Sequence, residues 1–110
     1  MIYQLGTALT DAIVLSIIEK GDAYGYAITQ QLKRVTEMKD SALYPVLRRL
    51  QQNGFLTTYD RPWQGRNRRY YRITEQGRRQ LAFFRQEWTA YRAEIENMLM
   101  EGEKPQQMRY

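Results

Sequence analysis

The 110-residue chain carries 17 Lys and Arg against 12 Asp and Glu, a net charge of +5, and has neither Cys nor His. Its length suits one domain with a single modest core, and the missing residues exclude disulfides, thiolate chemistry and the commonest general base and metal ligand. The carboxylates are scattered among basic residues, so no enzyme, metal or cofactor is expected, while the basic balance suits a polyanionic partner such as nucleic acid or an anionic membrane surface.

Residues 1–9 read as a short arm or a chain end. Thr10-Asp11 is the expected N-cap of a first helix, with Asp11 suited to the positive end of the helix dipole. Ala12, Ile13, Val14, Leu15, Ile17 and Ile18 make this helix apolar on most sides. It is therefore expected to be the most buried, with Gly21 closing it. A second helix is expected from near Tyr24, with Ile28, Leu32 and Val35 at helical spacing and Gln30, Gln31, Lys33 and Arg34 outward. Gly25, near its first turn, costs about 1 kcal/mol against alanine. Close approach of another backbone or of a phosphate would offset that cost. Met38, in the connection to the next helix, is expected to tuck into the core.

The third helix is expected over Ser41 to Gly54. Leu43, Val46, Leu47 and Leu50 fall at i, i+3, i+4 and i+7, one face of an amphipathic helix. Ser41, Pro45, Arg48 and Gln52 form the opposite face, with Tyr44 and Arg49 on its flanks. Pro45 lacks the amide that would bond the Ser41 carbonyl, so the helix must start close to Ser41. Arg49 points to the side, where an acid could pair with it.

After Gly54 the pattern changes. Phe55 to Tyr59 and Arg69 to Ile73 are rich in β-formers and read as two strands of a hairpin. Tyr71 and Ile73 fall on one face, Tyr70 and Arg72 on the other. Arg61 to Arg68, punctuated by Pro62 and Gly65, reads as the loop between the strands. It holds Gln64, Arg66 and Asn67, and no acid separates Arg61 from Arg72. Thr74 is the expected cap of a last helix over about 75–101, with Glu75 in its first turn. There Leu81, Phe84, Trp88, Tyr91, Ile95 and Met98 are separated by 3, 4, 3, 4 and 3 residues. This heptad seam is most simply buried by a second copy of the chain. Gly102 and Pro105 end the helix, and a loose tail follows.

Three helices followed by a basic hairpin is the order of a winged helix-turn-helix. The expected fold class is mainly α with a small β-hairpin. A DNA-binding domain is expected over 1–74 with its wing at 55–73, a dimerisation helix over 75–102, and a flexible tail over 103–110. Arginines on a projecting loop suit phosphate contacts or minor-groove insertion. An ordinary solvated loop and an ordinary surface helix are the plainer readings of the same residues.

The segments ALYPVLRRLQQNGFL at 42–56 and GRNRRYYRITEQGRRQL at 65–81 resemble the PadR family of bacterial transcriptional regulators. Asp22-Ala23-Tyr24-Gly25-Tyr26 resembles the opening of that family's second helix. The likeness spans about residues 10–100, and the single last helix resembles the family's short subgroup. It implies a homodimeric, mostly repressing protein on a pseudo-palindromic operator of double-stranded DNA. By that resemblance Tyr24 and Gly25 lie beside a phosphate, and Lys39, Ser41, Tyr44, Pro45 and Arg48 face DNA. Gln64, Gly65, Arg66, Arg68 and Arg69 belong to the wing or its stem. Tyr44 packing under the proline, and Tyr70 and Tyr71 packing on the core, remain open alternatives. Pro62-Trp63 stands where many members have polar or acidic residues, which implies a stiffer wing.

Trp88, with Phe84 and Tyr91 one turn either side, has two readings. One is an aromatic coiled-coil core; the other is a pocket between subunits for a flat apolar ligand. The resemblance implies the second, since some members bind multidrug compounds or respond to phenolic acids, and Trp88 matches a tryptophan of the drug-binding members. The alternative from a different class is a protein-interaction module with an acidic partner, which an acidic third helix or a neutral wing would have favoured. A membrane-surface role would need a basic amphipathic helix, whereas the strongest basic cluster is on the hairpin. No apolar run is long enough to cross a bilayer, and the start MIYQLGTALTDA lacks a basic region followed by an apolar stretch. The expected location is the cytoplasm.

Overall fold

A computed structural model describes residues 6–103. In chain order it forms α1 (Thr7–Glu19), β1 (Ala23–Tyr24), α2 (Gly25–Leu32), α3 (Asp40–Gln52), β2 (Leu56–Trp63), β3 (Arg66–Ile73) and α4 (Glu75–Met100), followed by a single 3₁₀ turn, Glu101–Glu103. The three strands make one antiparallel sheet in the order β1-β3-β2. This is the expected mainly helical fold with a β-hairpin. The expected arm lies partly, and the expected loose tail largely, outside the described residues.

Most elements follow from the apolar spacing. Val14, Leu15, Ile17 and Ile18 of α1 meet Ile28 and Leu32 of α2 and Leu43, Leu47 and Leu50 of α3 in one buried cluster, and Met38 packs against it. The α3 helix ends before Gly54 as expected, and Pro45 sits in its second turn with no partner lost beyond the Ser41 carbonyl bond. The Arg49 guanidinium pairs with the Asp11 carboxylate, tying α3 to α1.

Four expectations are corrected. Thr10-Asp11 is not the cap of α1, which begins a turn earlier with Gly6 as N-cap. Thr10 is buried on the inner face, where its hydroxyl donates to the Gly6 carbonyl at 2.9 Å, and Asp11 is taken up by Arg49. Val35 does not continue α2. The chain turns after Leu32, whose carbonyl accepts the amides of both Val35 and Thr36, and Val35 is left exposed. The Arg61–Arg68 segment is not a loop. Both strands run on to a two-residue turn at Gln64-Gly65, with φ of 50° and 81°. Left-handed geometry at both central residues matches the twist of the flanking strands, and Gly65 adopts it without steric cost. Pro62 is tolerated because β2 is an edge strand. The pair flanking the turn, Trp63↔Arg66, exchanges hydrogen bonds, so the next pair, Pro62↔Asn67, does not. Finally, Ala23-Tyr24 is a short strand before α2 that pairs with Tyr71 and Tyr70.

Thr74 caps α4 as expected. Its hydroxyl accepts from the Gly77 amide at 2.9 Å and donates to the Gly54 carbonyl at 2.7 Å. Gly77 is required by close approach, since a Cβ there would stand 2.3 Å from the Phe55 carbonyl oxygen. The first turns of α4 thus press into the domain, and Arg85 reaches Glu19 of α1 at 3.0 Å. Leu81 is 2 % exposed and belongs to the same core as α1 and α3. The expectation that Leu81 opens an intersubunit seam is therefore corrected. The domain's own core already covers it, and Thr74 is no boundary of packing.

Candidate nucleic-acid interface

The apolar stripe of α3 fixes what its other face can present. Leu43, Val46, Leu47 and Leu50 are buried, which leaves Lys39, Ser41, Tyr44, Pro45 and Arg48 exposed at the N-terminal end of the helix. Lys39 is the N-cap residue, in extended backbone, and Asp40 stands in the first turn. Ser41, Pro45 and Arg48 are exposed on the solvent side.

Tyr44 instead leans toward the start of α2. A Cβ on Gly25 would stand 3.2 Å from the Tyr44 hydroxyl. The close approach that Gly25 permits is therefore of a tyrosine ring. The two N-terminal helix ends meet there, and β3 closes the third side. The result is an open cleft of about 610 Å³ lined by Tyr24, Gly25, Tyr44, Arg48, Arg68 and Arg69. Six of the expected residues are thus brought together although the sequence spreads them over 46 positions (24 to 69). Lys39, Ser41 and Pro45 flank it on α3, and Gln64, Gly65 and Arg66 stand at the exposed hairpin tip.

The cleft also contains Asp60 and Asn67, which the sequence reading did not assign to it. Their place is set by register. The two-residue turn pairs Asp60 with Arg69 and Pro62 with Asn67, so Asn67, Arg69 and Tyr71 share one face of β3. Read as a loop, the segment carried no register and the acid could not be placed. Asp60 reaches Arg69 at 3.5 Å, but both are well exposed, so this pair contributes little to stability. Arg48 has no acid partner among the described residues. Its guanidinium is available to an anion.

On the opposite face of the sheet, the rings of Tyr59 and Tyr70 stack at 5.6 Å and Tyr24 meets Tyr70 edge-on at 5.6 Å. Tyr71 is buried, while Tyr70 packs within this aromatic row, so the two tyrosines differ in role. The Tyr59 hydroxyl donates to Asp22 at 2.7 Å and Arg72 donates to the same oxygen at 3.1 Å. These contacts, the tyrosine bond first, hold the Asp22 carboxyl below its usual range, and the bond to Asp22 pushes the Tyr59 hydroxyl up. Burial pushes Tyr71 up as well. This network joins the turn before β1 to the wing stem and fixes the base of the hairpin.

A second concave region lies between the start of α1 and the middle of α4. Phe84 packs against the domain core, stacks on Trp88 at 6.3 Å, and Trp88 meets Tyr91 at 6.4 Å. These three rings and the start of α1, Gly6 to Leu9, border an open cleft of about 520 Å³. Beyond it Tyr91, Met98 and Leu99 are 62 %, 76 % and 69 % exposed, and Ile95 and Met100 are also uncovered. Among the described residues, no group of three or more acidic side chains could hold a metal ion, and no helix is long and apolar enough to cross a membrane.

A model of the transcriptional regulator PadR-like family matches residues 14–83. The smu.1704 protein of Streptococcus mutans UA159 superposes with a TM-score of 0.84 at 36 % identity, covering 97 % of this chain and 100 % of its own. A PadR family transcription regulator of Clostridium difficile R20291 gives 0.76 at 30 % identity, over 86 % and 99 % of the two chains. Bacillus subtilis PadR, solved in complex with operator DNA, gives 0.65 at 26 % identity, over 69 % of this chain and 46 % of that one.

Proposed function

Because this chain belongs to the PadR-like family of transcriptional regulators, we propose that it binds a pseudo-palindromic operator as a homodimer and represses its own or a neighbouring promoter. The observation that carries the reading is the cleft in which the start of α3, the start of α2 and the wing face one outside object. A recognition helix enters the major groove by its N-terminal end, and here the exposed side of α3 carries Ser41, Tyr44 and Pro45 toward that end and Arg48 about a turn further on. Tyr24 and Gly25 stand where a phosphate would pass, Lys39 is a second backbone contact, and Gln64, Gly65, Arg66 and Arg69 follow the flanking groove. The operator of the Bacillus subtilis protein supports the same kind of partner for this chain. The cytoplasm is the matching location.

Two copies are needed because one α3 reads only half of a two-fold site. Phe84, Trp88, Tyr91, Ile95 and Met98 are the surface on which they would meet. The uncovered rings and methyl groups from Tyr91 onward support this, since a contiguous apolar stripe on a helix is costly in water. Functionally, α4 divides near Phe84: its first turns complete the DNA-binding domain and the remainder joins subunits. The cleft beside Phe84, Trp88 and Tyr91 is the place for a small aromatic effector.

The test is binding of the purified chain to duplex from upstream of its own gene and to random duplex, over a salt series. Neutralised phosphates release counterions, so affinity should fall linearly on logarithmic axes. Arg48→Ala should lower discrimination between the two duplexes by about 1–3 kcal/mol. A chain that binds both duplexes alike would sink the proposal.

A further inference from the structure

Arg68 is set apart from the other wing arginines. It is half-buried, whereas Arg61, Arg66, Arg69 and Arg72 are exposed. Its guanidinium carbon lies 3.6 Å from the Trp63 ring centroid and 3.9 Å from that of Tyr24. No ion pair among the described residues includes it.

The strand register explains this meeting. Arg68 lies on the central strand β3, on the same face as Arg66 and Tyr70. Arg66 is paired with Trp63 on β2, and Tyr70 is paired with Tyr24 on β1. The Arg68 side chain is therefore flanked diagonally by an aromatic ring on each neighbouring strand. A guanidinium is planar and weakly hydrated, so it stacks on two rings as an ammonium cannot.

The position along the hairpin gives the contact a mechanical role. β1 ends at Tyr24, opposite Tyr70. From Arg69 to the turn the wing has only two strands, and an isolated two-stranded ribbon is marginally stable. Arg68 spans that gap, because it reaches back from the two-stranded part to the residue that caps α2.

We propose that Arg68 is a positioning residue: clamped between Trp63 and Tyr24, it ties the outer wing to the start of α2 and so sets the wing's height over the cleft opposite α3. This rests on the DNA-binding reading and changes one part of it. Arg68 acts on operator choice through the wing and not by touching DNA, whereas the exposed Arg66, and Arg69 with only its exposed pair to Asp60, are left to do so.

The experiment uses the full chain, the duplex from upstream of its own gene and random duplex, with two variants that break the stack but keep the charge count. Trp63→Ala removes one ring, and Arg68→Lys replaces the plane by a point charge. Each is expected to lower affinity for the upstream duplex about five- to tenfold, the scale of a partly desolvated cation–π contact. In Trp63→Ala, which lies outside the cleft lining, random-duplex affinity, the salt slope and the thermal midpoint should stay as in the wild type. The proposal is overturned if both variants bind the upstream duplex like the wild type while Arg68→Ala weakens both duplexes and lowers the salt slope by about 0.9, the mark of a phosphate contact. Equal losses on both duplexes in either variant also overturn it. Failure of the underlying reading is distinct, since it shows in the wild type alone as equal binding to both duplexes.

Discussion

The α3 and α4 helices carry the same kind of apolar periodicity and use it differently. In α3 the stripe is wholly covered by the chain itself: Leu43 and Leu47 are 0 % exposed and Leu50 is 1 % exposed. In α4 only Gly77 and Leu81 are buried; Phe84 and Trp88 are half-covered, and from Tyr91 the stripe faces outward. Spacing shows that a helix has a face to bury. It does not show whether the cover comes from the same chain. The physical difference is reach. The compact part of the domain lies beside the first turns of α4, while the 26-residue helix, at 1.5 Å per residue, runs far beyond it.

The hardest test of that contrast is one packing change on each helix. Leu47→Ala should cost about 2–5 kcal/mol, read as a fall in the urea midpoint at constant protein concentration, because a fully enclosed side chain leaves a cavity. A loss under 1 kcal/mol would break the comparison from the α3 side. Gly77→Ala probes the junction where α4 enters the domain. Its methyl would press on the Phe55 carbonyl and on Ile73, 2.8 Å away, so a loss of about 1–3 kcal/mol is expected. An unchanged midpoint would mean that α4 is not held there.

On the outer part of α4 the effect should be on association. Tyr91→Glu with Met98→Glu should move the dimer–monomer midpoint, measured by sedimentation, to at least about tenfold higher concentration, with little change in monomer unfolding. If self-association is unaffected, the exposed stripe is not the subunit contact. The smallest effect belongs to Asp22. Its folded pKa is depressed, so its stabilisation is present above the ordinary carboxylate range and lost as pH falls through the lowered value. Asp22→Asn should be less stable than the wild type at neutral pH by no more than about 1 kcal/mol, with the two curves converging in acid. A gap that persists at low pH would assign the loss to hydrogen bonding instead of charge.

The candidate site was legible wherever one element carried it. Ser41, Tyr44, Pro45 and Arg48 could be placed on the exposed side of α3 because the Leu43–Leu50 stripe takes the buried side. The lateral role of Arg49 was legible for the same reason, and it meets Asp11. Residues whose role depends on a partner strand were not. Ala23-Tyr24 is too short to signal a strand, and exists as one only against Tyr70 and Tyr71. Local pattern alone gives Arg61–Arg68 no register, so the separation of Arg68 from Arg69 onto opposite faces appears only with the strand pairing. The heptad spacing that linked Leu81 to Met98 treated as one seam a stripe that the fold divides near Phe84.

The amino-acid sequence by itself determined the helices, the hairpin, the polar end of α3 and the basic character of the wing, because these follow from spacing, chain stiffness and charge within a dozen residues. Only the tertiary structure decided which apolar residues are already covered, which arginine is clamped between Trp63 and Tyr24, and where Asp60 and Asn67 stand. Those outcomes depend on strand register and on the meeting of segments far apart in the chain, such as Glu19 and Arg85, 66 residues apart, and no local pattern encodes such distances.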